Sequence, residues 1–154
     1  MRFVIAGGKA IKRIKLIGAC GDVCNHCHRY IATKSRSKEK LRAVAELWFE
    51  RGFRDRVVSP EEIACLGCRP ENNCRYKIVK CVEKHGVCNC GECGKYPCAR
   101  IKKAFARTAL LKKKLKKAVS KKEFRQFEIS ALCKKDVLDR INKGIMEAGF
   151  EKRS

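Results

Sequence analysis

The chain has 154 residues, enough for one domain with a modest core, and carries 38 Lys and Arg against 16 Asp and Glu, a formal +22 at pH 7. With one Trp, seven Phe and three Tyr among 35% charged residues, it is short of large apolar side chains and gains from an added cross-link. No apolar run approaches the ~18 residues that cross a bilayer, and MRFVIAGGKAIKRIKLIGAC lacks a secretory signal, so the expectation is a cytoplasmic protein with no transmembrane segment and reduced thiols.

In chain order, residues 2–6 and 14–18 read as short strands joined through Gly7-Gly8, a β-hairpin leading into the first cysteine cluster. Gly21 directly after Cys20 suits a backbone that turns its amides toward sulfur with an unrestricted φ. A helix over 23–33 would bring Cys24 and Cys27 onto one face at i, i+3. Ser35 or Ser37 caps the next helix, 37–51, whose Leu41, Val44, Ala45 and Trp48 make one apolar stripe that puts Trp48 in the core; Gly52 ends it. Ser59-Pro60-Glu61-Glu62 has the pattern of a capping box, starting a short turn that delivers Ile63 and Cys65.

Beyond the CRPENNC loop, residues 75–84 read as a helix carrying Ile78, Cys81 and Val82, with Gly86 as its left-handed stop. Pro97 opens a longer helix striped by Ile101, Phe105, Thr108, Leu111, Leu115 and Val119. Ser120 and Glu123 pattern as a second capping box before Phe124, Phe127 and Leu132. A last helix over 135–148 carries Val137, Leu138, Ile141 and Ile145 and closes at Gly149. The expected fold is mainly α: a cysteine-rich metal-binding domain over 1–99 and a basic helical extension over 100–154.

Eight of the twelve cysteines crowd into residues 65–98, and three more form the upstream CGDVCNHC. Cys65-x2-Cys68 and Cys90-x2-Cys93 are knuckles, whose two-residue spacing lets both sulfurs meet one ion while intervening amides donate to them. Cys74, Cys81 and Cys98 lie within reach of a short helix or loop. The expected grouping places Cys65, Cys68, Cys74 and Cys81 on one ion, and Cys90, Cys93 and Cys98 with Cys20, Cys24 and Cys27 on a second site or pair of sites, though cross-braced exchange fits the spacing equally. Zinc, in two or more ions, is the expected metal and its role structural, since an all-Cys set leaves no open coordination position. All-Cys ligation also suits iron, which keeps an iron–sulfur electron-transfer protein as the alternative. Cys20-x3-Cys24-x2-Cys27 has the spacing of radical S-adenosylmethionine enzymes, but the chain is too short and too helical for their barrel. His26 and His28 read as solvated imidazoles, His85 as a helix C-terminal residue, and Cys133 as a small buried apolar residue.

The order CGDVCNHCHRYIAT, CLGC, CRYKIVKC and CGECGKYPCARI resembles the cysteine-rich family of archaea and bacteria catalogued as domain-of-unknown-function family 3795, over roughly residues 18–105. What the resemblance implies is a small cytoplasmic prokaryotic domain, a suspected zinc binder, with its recurrent cysteines at Cys20, Cys24, Cys27, Cys65, Cys68, Cys74, Cys81, Cys90, Cys93 and Cys98. Cys88 and Cys133 look like additions, and His28 stands where relatives often carry proline. The basic tail lies outside the likeness.

That tail holds twelve Lys or Arg between Arg100 and Arg125 against the single acid Glu123. Such a helix can lie on nucleic-acid phosphates, RNA or DNA, while packing its leucines inward; without interleaved aromatics it offers no stacking on single strands. An anionic membrane surface fits less well, since the apolar face lacks Trp. A protein-interaction adaptor is a further alternative. No paired carboxylates, nucleophile–base pair or phosphate-cradling loop nominates a catalytic site, so the reading leans away from an enzyme.

Overall fold

Helices begin where side chains cap them. In this computed structural model, which describes residues 5–6, 9–10, 16–68 and 74–144, the Ser37 hydroxyl accepts from the Lys40 amide at 3.2 Å and opens α2 (Lys38–Glu50). Ser59 does the same for α3 (Pro60–Ile63), with the Glu62 carboxylate returning to the Ser59 amide in a complete capping box. Ser120 opens α6 (Lys121–Phe127) by accepting from the Glu123 amide, while the Glu123 carboxylate goes instead to Arg51, 2.7 Å away at the end of α2. The other helices are α1 (His28–Lys34), α4 (Ile78–Lys84), α5 (Ala99–Ala118) and α7 (Lys134–Asn142). The fold is mainly α.

The N-terminal hairpin is tighter than expected: β1 (Ile5–Ala6) pairs antiparallel with β2 (Lys9–Ala10), Ile5 opposite Ala10. Its turn at Gly7-Gly8, and Ile145 and Gly149 at the other end, lie outside the described residues. The expected 23–33 helix is split. A 3-10 turn, Cys24–His26, precedes an extended Cys27, which then begins α1. Past α6 the chain widens into a π turn, Glu128–Leu132, whose Ser130 carbonyl accepts from the Val23 amide at 2.8 Å and so braces the first cysteine cluster.

Two apolar clusters result. The first joins Ile17 and Val23 to Ile78 and Val82 of α4, Ile101 of α5 and Leu138 of α7. The second joins Ala45 and Trp48 of α2 to Ile63, Leu115 of α5, Phe127 and Leu132. Trp48 is core, as its stripe implies, stacked on Phe53 at 5.0 Å. α5 enters both clusters, with Ile101 0% and Leu115 1% exposed near its two ends.

His28 departs from the expected solvated imidazole. Its ring lies 5.4 Å from Trp48 and 4.9 Å from Phe127, its Nδ1 is buried without a hydrogen-bond partner, and burial lowers its pKa against the opposing pull of Glu123. The start of α1 turns this residue inward, onto the aromatic cluster, rather than outward beside its neighbour Cys27.

Candidate metal centre

None of the twelve cysteines is joined in a disulfide. Ten border one of two cavities that lie where separate chain segments meet. The larger is a cleft of about 950 Å³ bordered by Cys20, Cys24, Cys27, Cys65, Cys68 and Cys74. The smaller, about 20 Å³, is bordered by Cys81, Cys90, Cys93 and Cys98. This differs from the grouping expected from sequence order. Cys81 leaves Cys65, Cys68 and Cys74 because α4 carries it a turn and more away from Cys74, toward the 3-10 turn Cys90–Glu92. Cys20, Cys24 and Cys27 take its place beside the first knuckle.

In the cleft, the Ala19 amide donates to Cys68 Sγ at 3.2 Å, the kind of bond that stabilises a metal-bound thiolate. A Cβ on Gly18 would stand 3.1 Å from Cys68 Sγ and 3.4 Å from Cys24 Sγ, so both sulfurs border one point and a side chain at position 18 would displace them. Burial pushes the thiols up, Cys68 to about 11 and Cys24 further, with neighbouring thiols and Asp22 adding to the rise at Cys24. Cys20 and Cys27 are likewise raised by burial first. Sequence reasoning missed the charges around this floor. Lys134 of α7, its side chain 12% exposed, bonds to Asp22 at 2.5 Å and lies near Cys20 and Cys27. Arg29 reaches the Ile63 carbonyl at 2.7 Å, Arg75 pairs with Asp55 at 3.1 Å, and Arg54 forms part of the wall. Spacing within the sequence gives no sign that Lys134, more than a hundred residues on, lies against Cys20.

The smaller pocket is held from several sides. The Cys90 amide donates to the Ala19 carbonyl at 2.9 Å, and Cys98 caps α5. The Tyr96 hydroxyl donates to Asp139 at 2.6 Å, tying the pocket wall to α7; burial and that carboxylate hold its phenol well above the ordinary range. Burial followed by Cys98, Cys81 and Cys93 pushes Cys90 up to about 12. His85 is the C-cap of α4, at the helix C-terminus as expected, with Nδ1 2.8 Å from the Cys81 carbonyl. Cys88 is exposed and Cys133 half-buried, and neither borders either of these two cavities. Among the described residues no three Cys, His, Asp or Glu side chains are drawn into a finished metal-holding group. The donor chemistry nonetheless fits a thiophilic divalent ion: the sulfurs border shared cavities, none is in a disulfide, and amide and cationic groups lie beside them.

These features define a mainly α, cysteine-rich protein whose thiols meet across distant segments. The chain belongs to the family described as protein of unknown function (DUF3795), matched over residues 16–103, a span that takes in every cavity-lining cysteine and ends within α5. No curated protein matches the chain, and no solved structure does. Among the described residues no helix is long and apolar enough to cross a membrane.

Proposed function

We propose that the chain is a zinc-binding protein of the cytoplasm, in which thiolate-held ions cross-link the two apolar clusters and present a basic helical face to the phosphates of nucleic acid. The observation that carries the metal reading is the division of the same ten cysteines between two cavities, each fed by more than one segment. A structural zinc contributes about 10 kcal/mol or more of folding free energy, comparable with the whole stability of a small domain. The role is structural, since an ion held by four thiolates has no open coordination position for water.

The polyanion reading rests on how α5 divides its cations. Arg100 and Arg107 donate to the Tyr76 and Gly52 carbonyls, and Lys112 pairs with Glu128 at 3.4 Å. Lys102, Lys103, Lys113, Lys114 and Lys117 are exposed on the outward arc opposite Ile101 and Leu115, and among the described residues none meets a carboxylate. At 1.5 Å per residue they span about 22 Å, enough to follow several phosphates.

Elemental analysis of anaerobically purified protein tests the metal. Zinc without iron or acid-labile sulfide is expected, and chelation should remove the helical circular dichroism of residues 20–98 cooperatively. A brown protein holding iron and sulfide would replace this reading with electron transfer, and native dichroism after confirmed metal removal would overturn the structural role.

A further inference from the structure

The cleft has more sulfur than one ion can use. We infer that it holds two zinc ions sharing six thiolates, those of Cys20, Cys24, Cys27, Cys65, Cys68 and Cys74, bridged by Cys24 and Cys68, so that the chain carries three ions in all. The inference rests on the zinc reading above and specifies its stoichiometry.

A tetrahedral zinc takes four sulfurs. The small pocket offers four and accounts for one ion. The cleft offers six, two too many for one ion and two too few for a separate pair, but two tetrahedra that share an edge have six corners. The six arrive as two triplets, Cys20-x3-Cys24-x2-Cys27 on one side and Cys65-x2-Cys68-x5-Cys74 on the other. Each triplet offers one central cysteine to the shared edge. Cys24 and Cys68 are those central residues, and theirs are the two sulfurs that border a single point beside Gly18, at 3.4 and 3.1 Å respectively from where its Cβ would stand.

Six thiolates and two dications would leave −2 within the cleft, whose wall carries Arg29, Arg54, Arg56 and Arg75 beside Asp22, Asp55, Glu61 and Glu62.

The test uses the full chain, metal-stripped and titrated anaerobically with cobalt(II), alongside zinc analysis of the native protein. Expected are three zinc ions per chain and sulfur-to-cobalt charge-transfer bands that grow to three equivalents. The high-spin cobalt resonance should rise and then lose intensity as the second cleft position fills, because thiolate-bridged cobalt ions couple antiferromagnetically. Cys93→Ser should remove one ion and keep the coupled pair, while Cys88→Ser should keep all three. Two zinc ions per chain, with cobalt signals that simply add, would overturn the shared centre and leave the zinc reading standing; absence of zinc would overturn both.

Discussion

Replacing Gly21 with alanine tests whether the first cysteine turn and α7 are fitted to each other. Gly21 has φ +93°, and a Cβ there would stand 2.5 Å from the Lys134 carbonyl oxygen and 2.8 Å from Leu138 Cγ, neither of which is a flexible chain end. The backbone conformation alone costs an L residue about 1–2 kcal/mol. Forcing α7 back from a packed cluster in which Leu138 is 0% exposed adds about 1–3 kcal/mol. The expected loss is therefore about 2–5 kcal/mol, a large share of the ~5–15 kcal/mol of a typical domain. Urea unfolding followed through Trp48 fluorescence and far-ultraviolet dichroism, with metal content held equal, reads it as a lower midpoint at unchanged slope. Gly94→Ala is the control, since its Cβ would meet nothing within 4 Å; it should stay within about 0.5 kcal/mol. Because Lys134 bonds to Asp22 beside the substituted residue, Gly21→Ala should also release zinc faster. A loss below about 1 kcal/mol would refute the claim that this contact fixes α7 against the thiols.

Three further outcomes follow from the same geometry. In the metal-free protein the thiols of Cys68 and Cys90 stay protonated at neutral pH, raised to about 11 and about 12 by burial first; zinc must displace those protons, so retention should fall as pH drops from 8 to 5 when read with a chromophoric chelator, and a flat profile would contradict thiolate ligation. His28, held neutral by burial, favours the folded state above its unfolded pKa near 6.5 and loses that contribution as pH falls below it; His28→Phe should flatten this acid limb in urea midpoints measured between pH 7.5 and 5, and an unchanged limb would assign it elsewhere. The triple change Lys113→Gln, Lys114→Gln, Lys117→Gln should reduce the salt slope of duplex binding by up to ~2.7, at ~0.9 per phosphate contact, with no change in the urea midpoint; a slope that does not move would clear this face of phosphate contacts.

The parts of the fold legible in the sequence are those decided within a few residues. The Ser59–Glu62 box, the Ser37 cap, the Trp48 stripe and the left-handed stops at Gly52 and Gly86 are local agreements of side chain and backbone, and they stand where the pattern puts them. Gly21 was legible as a residue needing positive φ, but not for its second reason, the backbone of α7 pressed against it. The Ser120 box was half legible: its hydroxyl caps α6, yet Glu123 is drawn off by Arg51, seventy-two residues earlier. The cysteines follow the same rule. Their spacing marks ten of them as a set, whereas which sulfurs share a cavity depends on how α4 and the N-terminal turn are carried past each other: adjacency in sequence puts Cys81 with Cys65, Cys68 and Cys74, while in the fold it lines the smaller cavity with Cys90, Cys93 and Cys98.

The relation of the basic helix to the thiols was the least legible feature and has the widest consequence. Read along the chain, the lysines of α5 belong to an extension that begins after the last clustered cysteine. In the structure Cys98 is at once a wall of the small pocket and the N-cap of α5. Ile101 then enters the first apolar cluster and Leu115, near the far end, the second. The two clusters have no buried residue in common among the described residues, and α5 contributes to each, so it is a strut between them, and its outward lysines are fixed in direction by the burial of its inward side. Whatever holds Cys98 in place therefore also holds the orientation of the lysine arc relative to the cleft. A change at the small pocket reaches that arc through one helical turn, the distance from Cys98 to Ile101, whereas a change at the cleft reaches it only through α7 and the packed clusters.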